Sequence, residues 1–142
     1  KELYTKLYSD VHRIYYKNNV NMDPSKIPFA RKALLYKKEI QNKSILEVGC
    51  GRGSFLISIL KRFNYKKLTG LDVSLPPENV RNFYPDIEFV NADITDFKTK
   101  NKYDIVYSNH VLEHMGPLDL DSHLGSIKNA LKLVCLEAPE RM

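Results

Sequence analysis

The run Ile45-Leu46-Glu47-Val48-Gly49-Cys50-Gly51-Arg52-Gly53-Ser54-Phe55 sets three glycines at alternate positions, with a carboxylate two residues ahead of the first. An apolar stretch that enters glycines and then a helical pattern reads as a strand, a tight turn and a helix start. Glycine lets such a turn close and lets a ligand lie against the backbone. The first helical turn then offers unpaired N–H groups to that ligand. A phosphate-binding P-loop has four residues between its glycines and then Gly-Lys-Ser/Thr, and that lysine is absent here. A dinucleotide fingerprint is Gly-x-Gly-x-x-Gly, whereas this run is Gly-x-Gly-x-Gly. A turn for a different nucleoside cofactor and a merely structural turn both stay open on the glycines alone.

Further carboxylates narrow the choice. Asp72 closes a second apolar stretch, where a carboxylate can accept hydrogen bonds from two ribose hydroxyls. Asp93 closes a third, in Val90-Asn91-Ala92-Asp93-Ile94. Tyr103-Asp104-Ile105-Val106-Tyr107-Ser108-Asn109 is a fourth stretch with its exit, followed by His110-Val111-Leu112-Glu113-His114.

The elements that must position these groups follow from periodicity. Leu3, Tyr4, Leu7, Tyr8, Val11, Ile14 and Tyr15 recur at spacings of three and four and predict a helix over residues 1–16. Turn residues fill 18–28, and Pro28 opens a second expected helix that reaches about Gln41. Strands are expected at 45–48, 68–73, 87–90, 103–107 and 133–137, with helices at 54–63, 77–84 and 118–132. Alternation of this kind implies right-handed crossovers and a mostly parallel sheet covered on both faces. In such a doubly wound α/β fold the strand ends converge on one crevice, where ligands bind. The expected division is a helical N-terminal cap over 1–43 and a Rossmann-like core over 44–142.

Taken together, these residues resemble the class I S-adenosylmethionine-dependent methyltransferases, over residues 44–138. The resemblance implies a cofactor site for S-adenosyl-L-methionine and its product S-adenosyl-L-homocysteine. Glu47, Gly49, Cys50, Gly51 and Gly53 would shape its methionine end, with Cys50 the small residue the turn requires. Asp72 would hold the ribose, with Val73 beside the adenine. Asp93 would meet the adenine amino group, between Ala92 and an Ile94 that packs on the ring. Asn109 would line the sulfonium region. The Leu112-Glu113-His114 triplet is common among small-molecule members, including the quinone-pathway type. The family's usual Pro-Gly-Gly before the fifth strand is absent, and its last two strands lie beyond Met142. The expectation is therefore a C-terminally incomplete sheet, from a truncated or partly missing chain.

His110 and His114 are the nearest candidates for a catalytic base if the acceptor must lose a proton. With Glu113 they also form His-x-x-Glu-His, three possible metal ligands on one helical face. A plain helix start is the expected reading, and no metal site is assigned. Cys50 and Cys135 are expected to be small core residues rather than nucleophiles.

The composition is that of an ordinary globular chain: 142 residues, 43% hydrophobic and 27% charged, which excludes disorder. Its net charge of +5 permits an anionic partner without requiring one. Nucleic acid is not favoured, because the Lys and Arg residues are scattered and no RNA-binding module is appended. No apolar run is long enough for a membrane span, and two cysteines suit a reducing cytoplasm. The function expected is methyl transfer to a small-molecule O, N or C acceptor. The alternatives are a cofactor-binding scaffold or regulator without turnover, and an RNA methyltransferase. Oligomeric state is not legible in the sequence.

Overall fold

A computed structural model describes residues 22–100, 102–108, 111, 116–131 and 134–136. The helix expected over 1–16 lies outside them, as do Asn109, His110, Glu113 and His114. In chain order, the regular elements begin with two short helices, α1 (Lys32–Leu35) and α2 (Lys37–Ile40). Then come β1 (Lys43–Val48), α3 (Ser54–Arg62), β2 (Tyr65–Asp72), α4 (Glu78–Phe83) and β3 (Ile87–Asn91). β4 (Ile105–Ser108), α5 (Pro117–Ala130) and β5 (Val134–Leu136) follow. The five strands form one parallel sheet in the order β3-β2-β1-β4-β5. The order reverses between β1 and β4, so the crevice opens at the C-terminal ends of those two strands.

Burial explains the strands. Ile45 to Val48 are buried without interruption, as expected for a central parallel strand covered on both faces. One cluster contains Ile45, Leu56, Ile59, Leu68, Ile87 and Ile105 and lies beneath α3. The other contains Leu46, Val48, Leu71, Ile94 and Val106 and lies beneath Ile127 and Ala130 of α5. Side chains alternate between the faces of a strand, so neighbours in β1 enter different clusters. Within the second layer, the Tyr103 hydroxyl meets Thr69 Oγ1 at 3.0 Å, which satisfies two buried polar groups.

The helix expected from Pro28 to Gln41 is instead two helices that meet at Tyr36 (φ −103°, ψ 20°). The break accompanies a tilt of the Tyr36 ring against Tyr107 of β4, centroids 6.2 Å apart. Ala33 and Ile40 still reach the first cluster. Asn42 then turns the chain into β1 with φ 60°, a left-handed conformation that asparagine tolerates. The preceding segment is pinned to α3, because the Ala30 N–H donates to Ser58 Oγ at 2.8 Å.

Candidate functional site

The glycine turn hangs from the end of β2. The N–H groups of Gly49 and Cys50 both donate to the Leu71 carbonyl, at 2.7 and 3.2 Å. Gly49, Gly51 and Gly53 all have positive φ. At Gly49 (φ 75°) an added Cβ would also overlap the Val111 side chain. At Gly53 (φ 79°) it would press on the Phe89 ring at 3.0 Å. Gly53 is the left-handed residue immediately before α3, and its carbonyl accepts from the Ile57 N–H at 2.8 Å. The turn therefore ends on the N-terminus of a nine-residue helix.

Asp72 holds the same turn from the side. Its Oδ2 accepts from the Gly51 N–H at 2.8 Å, and its Oδ1 from the Ser74 N–H at 3.0 Å. The side chain is buried, but each carboxylate oxygen retains a second lone pair for a ligand hydroxyl. Asn91, at the end of β3, bonds the carbonyls of Asp72 and Val73 through its amide nitrogen, at 3.2 and 2.9 Å. The Ala92 N–H donates to the Asp72 carbonyl at 3.1 Å. These contacts fix Val73 beside the turn.

Asp72→Asn keeps the shape but turns an NH₂ group toward one of the two N–H donors. The expected loss is about 1–3 kcal/mol, the cost of an unsatisfied buried donor. That corresponds to a fall in Tm of roughly 3–10 °C for a domain of this size. A thermal melt with an unchanged midpoint would show that the carboxylate does not hold the turn.

Glu47 is the unusual group. It is 7% exposed, and its Oε2 has no hydrogen-bond partner among the described residues. Burial, and then the charge of Asp72, push its carboxyl well above the ordinary value of 4.5. Such a group calls for a cation or a donor. An arriving ammonium would supply both and restore the carboxylate charge.

Cys50 fills the space behind the turn. Its Sγ lies 2.9 Å from where a Cβ on Gly70 would sit, so β2 carries glycine there. Burial, with the charges of Glu47 and Asp72, raises the thiol well above its usual range and keeps it protonated. The thiol is a packing group and not a nucleophile.

Asp93 follows β3 in a tight turn. Its Oδ1 accepts from the Thr95 N–H at 2.9 Å and from Thr95 Oγ1 at 2.8 Å. Ile94 is directed inward, 3% exposed, in the cluster beneath α5. The structure thus gathers Glu47, the glycine turn, Asp72, Val73, Ala92 and Asp93 along the C-terminal edge of β1, β2 and β3. Asn109, His110 and His114 follow β4 but lie outside the described residues. Among the described residues, no group of three His, Cys, Asp or Glu side chains could hold a metal ion.

Three participants were not singled out in the sequence: Gly70, Ser74 and Asn91. Asn91 had the clearest signal, an amide directly after an apolar strand. Ser74 acts through its backbone, which no side-chain pattern reveals.

A family profile described as a methyltransferase domain matches residues 45–133. Malonyl-[acyl-carrier protein] O-methyltransferase 1 of Ilyobacter polytropus is 35% identical over 91 residues, 59% of this chain and 33% of that protein. Trans-aconitate 2-methyltransferase of Escherichia coli is 27% identical over 110 residues, 75% of this chain and 44% of that protein. The chain thus spans less than half the length of these relatives. Among solved structures, a 1,6-didemethyltoxoflavin-N1-methyltransferase of Burkholderia thailandensis with bound S-adenosylhomocysteine superposes with a TM-score of 0.66. It is 20% identical, over 89% of this chain and 56% of that one, and supports the Rossmann-like fold.

Proposed function

Since the chain belongs to the methyltransferase-domain family, matched over more than half of its length, we propose that it transfers a methyl group from S-adenosylmethionine to a small-molecule acceptor. One observation carries the cofactor assignment: a buried carboxylate oxygen without a partner among the described residues sits at the head of the glycine turn, beside Asp72. A ligand that joins an ammonium to a ribose fits that pair, and a nicotinamide dinucleotide offers no ammonium to Glu47.

When bound, S-adenosylmethionine supplies a methyl group on a positively charged sulfur, reactive enough to need no covalent intermediate on the protein. The work left to the chain is alignment and exclusion of water. Glu47 takes the ammonium. The glycine turn admits the methionine end against the backbone, and Asp72 takes the ribose hydroxyls with its remaining lone pairs. Val73, Ala92 and Asp93 would form the adenine edge, whereas the Ile94 side chain is buried beneath α5 and not on the ring; Asn109, outside the described residues, would line the sulfonium side.

The acceptor is a small molecule. This reading rests on the names of the relatives, which specify malonyl-[acyl-carrier protein] and trans-aconitate. A carboxylate oxygen is the acceptor to test first. No helix among the described residues is long and apolar enough to cross a membrane. A reducing cytoplasm is the proposed setting, on the strength of the free buried thiol at Cys50.

Calorimetry tests the cofactor reading. S-adenosylmethionine and S-adenosylhomocysteine should bind, and NAD should not. Binding of NAD with neither sulfur nucleoside would overturn it.

A further inference from the structure

β1 and β4 diverge at the glycine turn. Their last paired residues are Val48 and Ser108. Beyond them, one chain turns through Gly49 into α3 and the other leaves toward α5. Those helices cover opposite faces of the sheet, so the two exits open the crevice between them. Val111, three residues past the end of β4, reaches across it. Gly49 is fixed from the β2 side, where its N–H donates to the Leu71 carbonyl at 2.7 Å. Val111 stands on its bare face: a Cβ built on Gly49 would overlap Val111 Cγ2 and lie 3.7 Å from Val111 Cβ. Two further glycines at the site are covered in the same manner. Phe89 of β3 lies on the bare face of Gly53, and Cys50 on that of Gly70. These bare faces therefore receive side chains of the chain itself. A hollow filled by a branched side chain is a packing socket, and such a socket tolerates little change in volume.

We propose that Val111 is a positioning residue for the methyl donor, its isopropyl group seated on Gly49 so that the β4 exit is held against the cofactor turn at one spacing. The proposal rests on the reading of the glycine turn as the S-adenosylmethionine site. Asn109 and His110 lie within two residues of Val111 in sequence. Any role they have at the sulfur therefore depends on where Val111 is seated. Glycine is then required twice at position 49, for its φ of 75° and for the room it leaves to Val111. The methionine end of the cofactor would meet the turn away from that face.

The competing use of the bare face is to let the cofactor itself touch the backbone, and a size exchange separates the two. S-adenosylmethionine and S-adenosylhomocysteine are titrated into the parent chain, Gly49→Ala, Val111→Ala, Val111→Leu, Val111→Thr and the combined Gly49→Ala/Val111→Ala variant, well below each thermal midpoint. Gly49→Ala should weaken binding by about 10- to 100-fold, the scale of an overpacked contact. The combined variant leaves room for the added methyl and should bind on the order of tenfold tighter than Gly49→Ala alone. Strain at a positive φ is common to both and cancels from that comparison. Val111→Ala and Val111→Leu should each weaken binding, and Val111→Thr, which has the same shape, should recover most of the loss. The loss in Val111→Leu should be unequal for the two ligands, which differ only at the sulfur. No recovery in the combined variant would give the bare face to the cofactor and overturn the proposal. Equal losses on both ligands in Val111→Leu, the mark of a merely structural role, would overturn it as well. A parent chain that binds neither ligand would overturn the underlying cofactor reading instead. Should Gly49→Ala or the combined variant fail to fold, the Val111 series decides alone, and parent-like binding by Val111→Leu would overturn the proposal.

Discussion

Glu47→Gln should weaken S-adenosylmethionine binding by about 10- to 150-fold, the equivalent of roughly 1.5–3 kcal/mol for a charged hydrogen bond. The same change should leave the ligand-free protein at least as stable as the parent at neutral pH. The two effects have opposite signs for one reason. The parent carboxyl is buried beside Asp72, and its folded-state value is raised well above 4.5. Between 4.5 and the raised value, the unfolded chain has released a proton that the folded chain still holds. Stability therefore falls as pH rises through that window. Glutamine has no proton to lose, so the stability of the variant should not follow this slope. Binding runs the other way, because an ammonium needs the ionised carboxylate. Parent affinity should rise with pH through the same window and then level, while the variant stays weak and flat. Calorimetry and thermal melts across the acid-to-neutral range measure both. Equal affinity in parent and variant would remove Glu47 from the cofactor site.

His110→Ala or His114→Ala should lower turnover of the full-length protein by about 10²–10⁴-fold for an acceptor that must lose a proton. Cofactor affinity should be nearly unchanged, and the residual rate should be flat with pH near neutrality. A carboxylate acceptor has no proton to give. With such an acceptor both variants should keep the parent rate and pH profile, and orientation becomes the whole task. A metal held by His110, Glu113 and His114 would show itself separately, as activity lost to a chelator and regained with a divalent ion. Turnover, cofactor affinity and chelator sensitivity on the two variants separate the three mechanisms.

The sheet and the glycine turn at its edge were legible because their signals are local. Three glycines at alternate positions mark a tight turn, and Asp72 and Asp93 each end an apolar stretch. Among the described residues the observed strands overlap the expected ones, but β2 begins three residues earlier than expected, at Tyr65. Lys66 and Lys67 hid that start, because they are exposed where the strand leaves the core. The break at Tyr36 was not legible, since the periodicity from Pro28 to Gln41 suits one helix. The break coincides with a ring contact to Tyr107, a residue distant in sequence. Gly70 was also invisible, because a glycine within a strand looks ordinary until Cys50 is seen packed against it. His123 was not singled out in the sequence, since a histidine within a helix carries no local signal. Only the burial of the full fold marks it as unpaired among the described residues.

The order of strands has a consequence for how the chain acquires its shape during synthesis. β1, β2 and β3 are neighbours both in sequence and in the sheet, and they complete half of it without help from later residues. The other edge of β1 pairs with β4, and the junction is fastened by Ser44 and Asp104, 60 residues apart. The Ser44 N–H and Oγ each reach Asp104 Oδ2 at 2.9 Å, and the Asp104 N–H returns to Ser44 Oγ at 2.9 Å. In a nascent chain, the edge of β1 that pairs with β4 has no partner until Ile105 to Ser108 emerge. Such an edge is a template for pairing with other chains. Closing β4 onto β1 joins residues 60 positions apart and so carries a larger loop-closure cost than pairing β1 with β2.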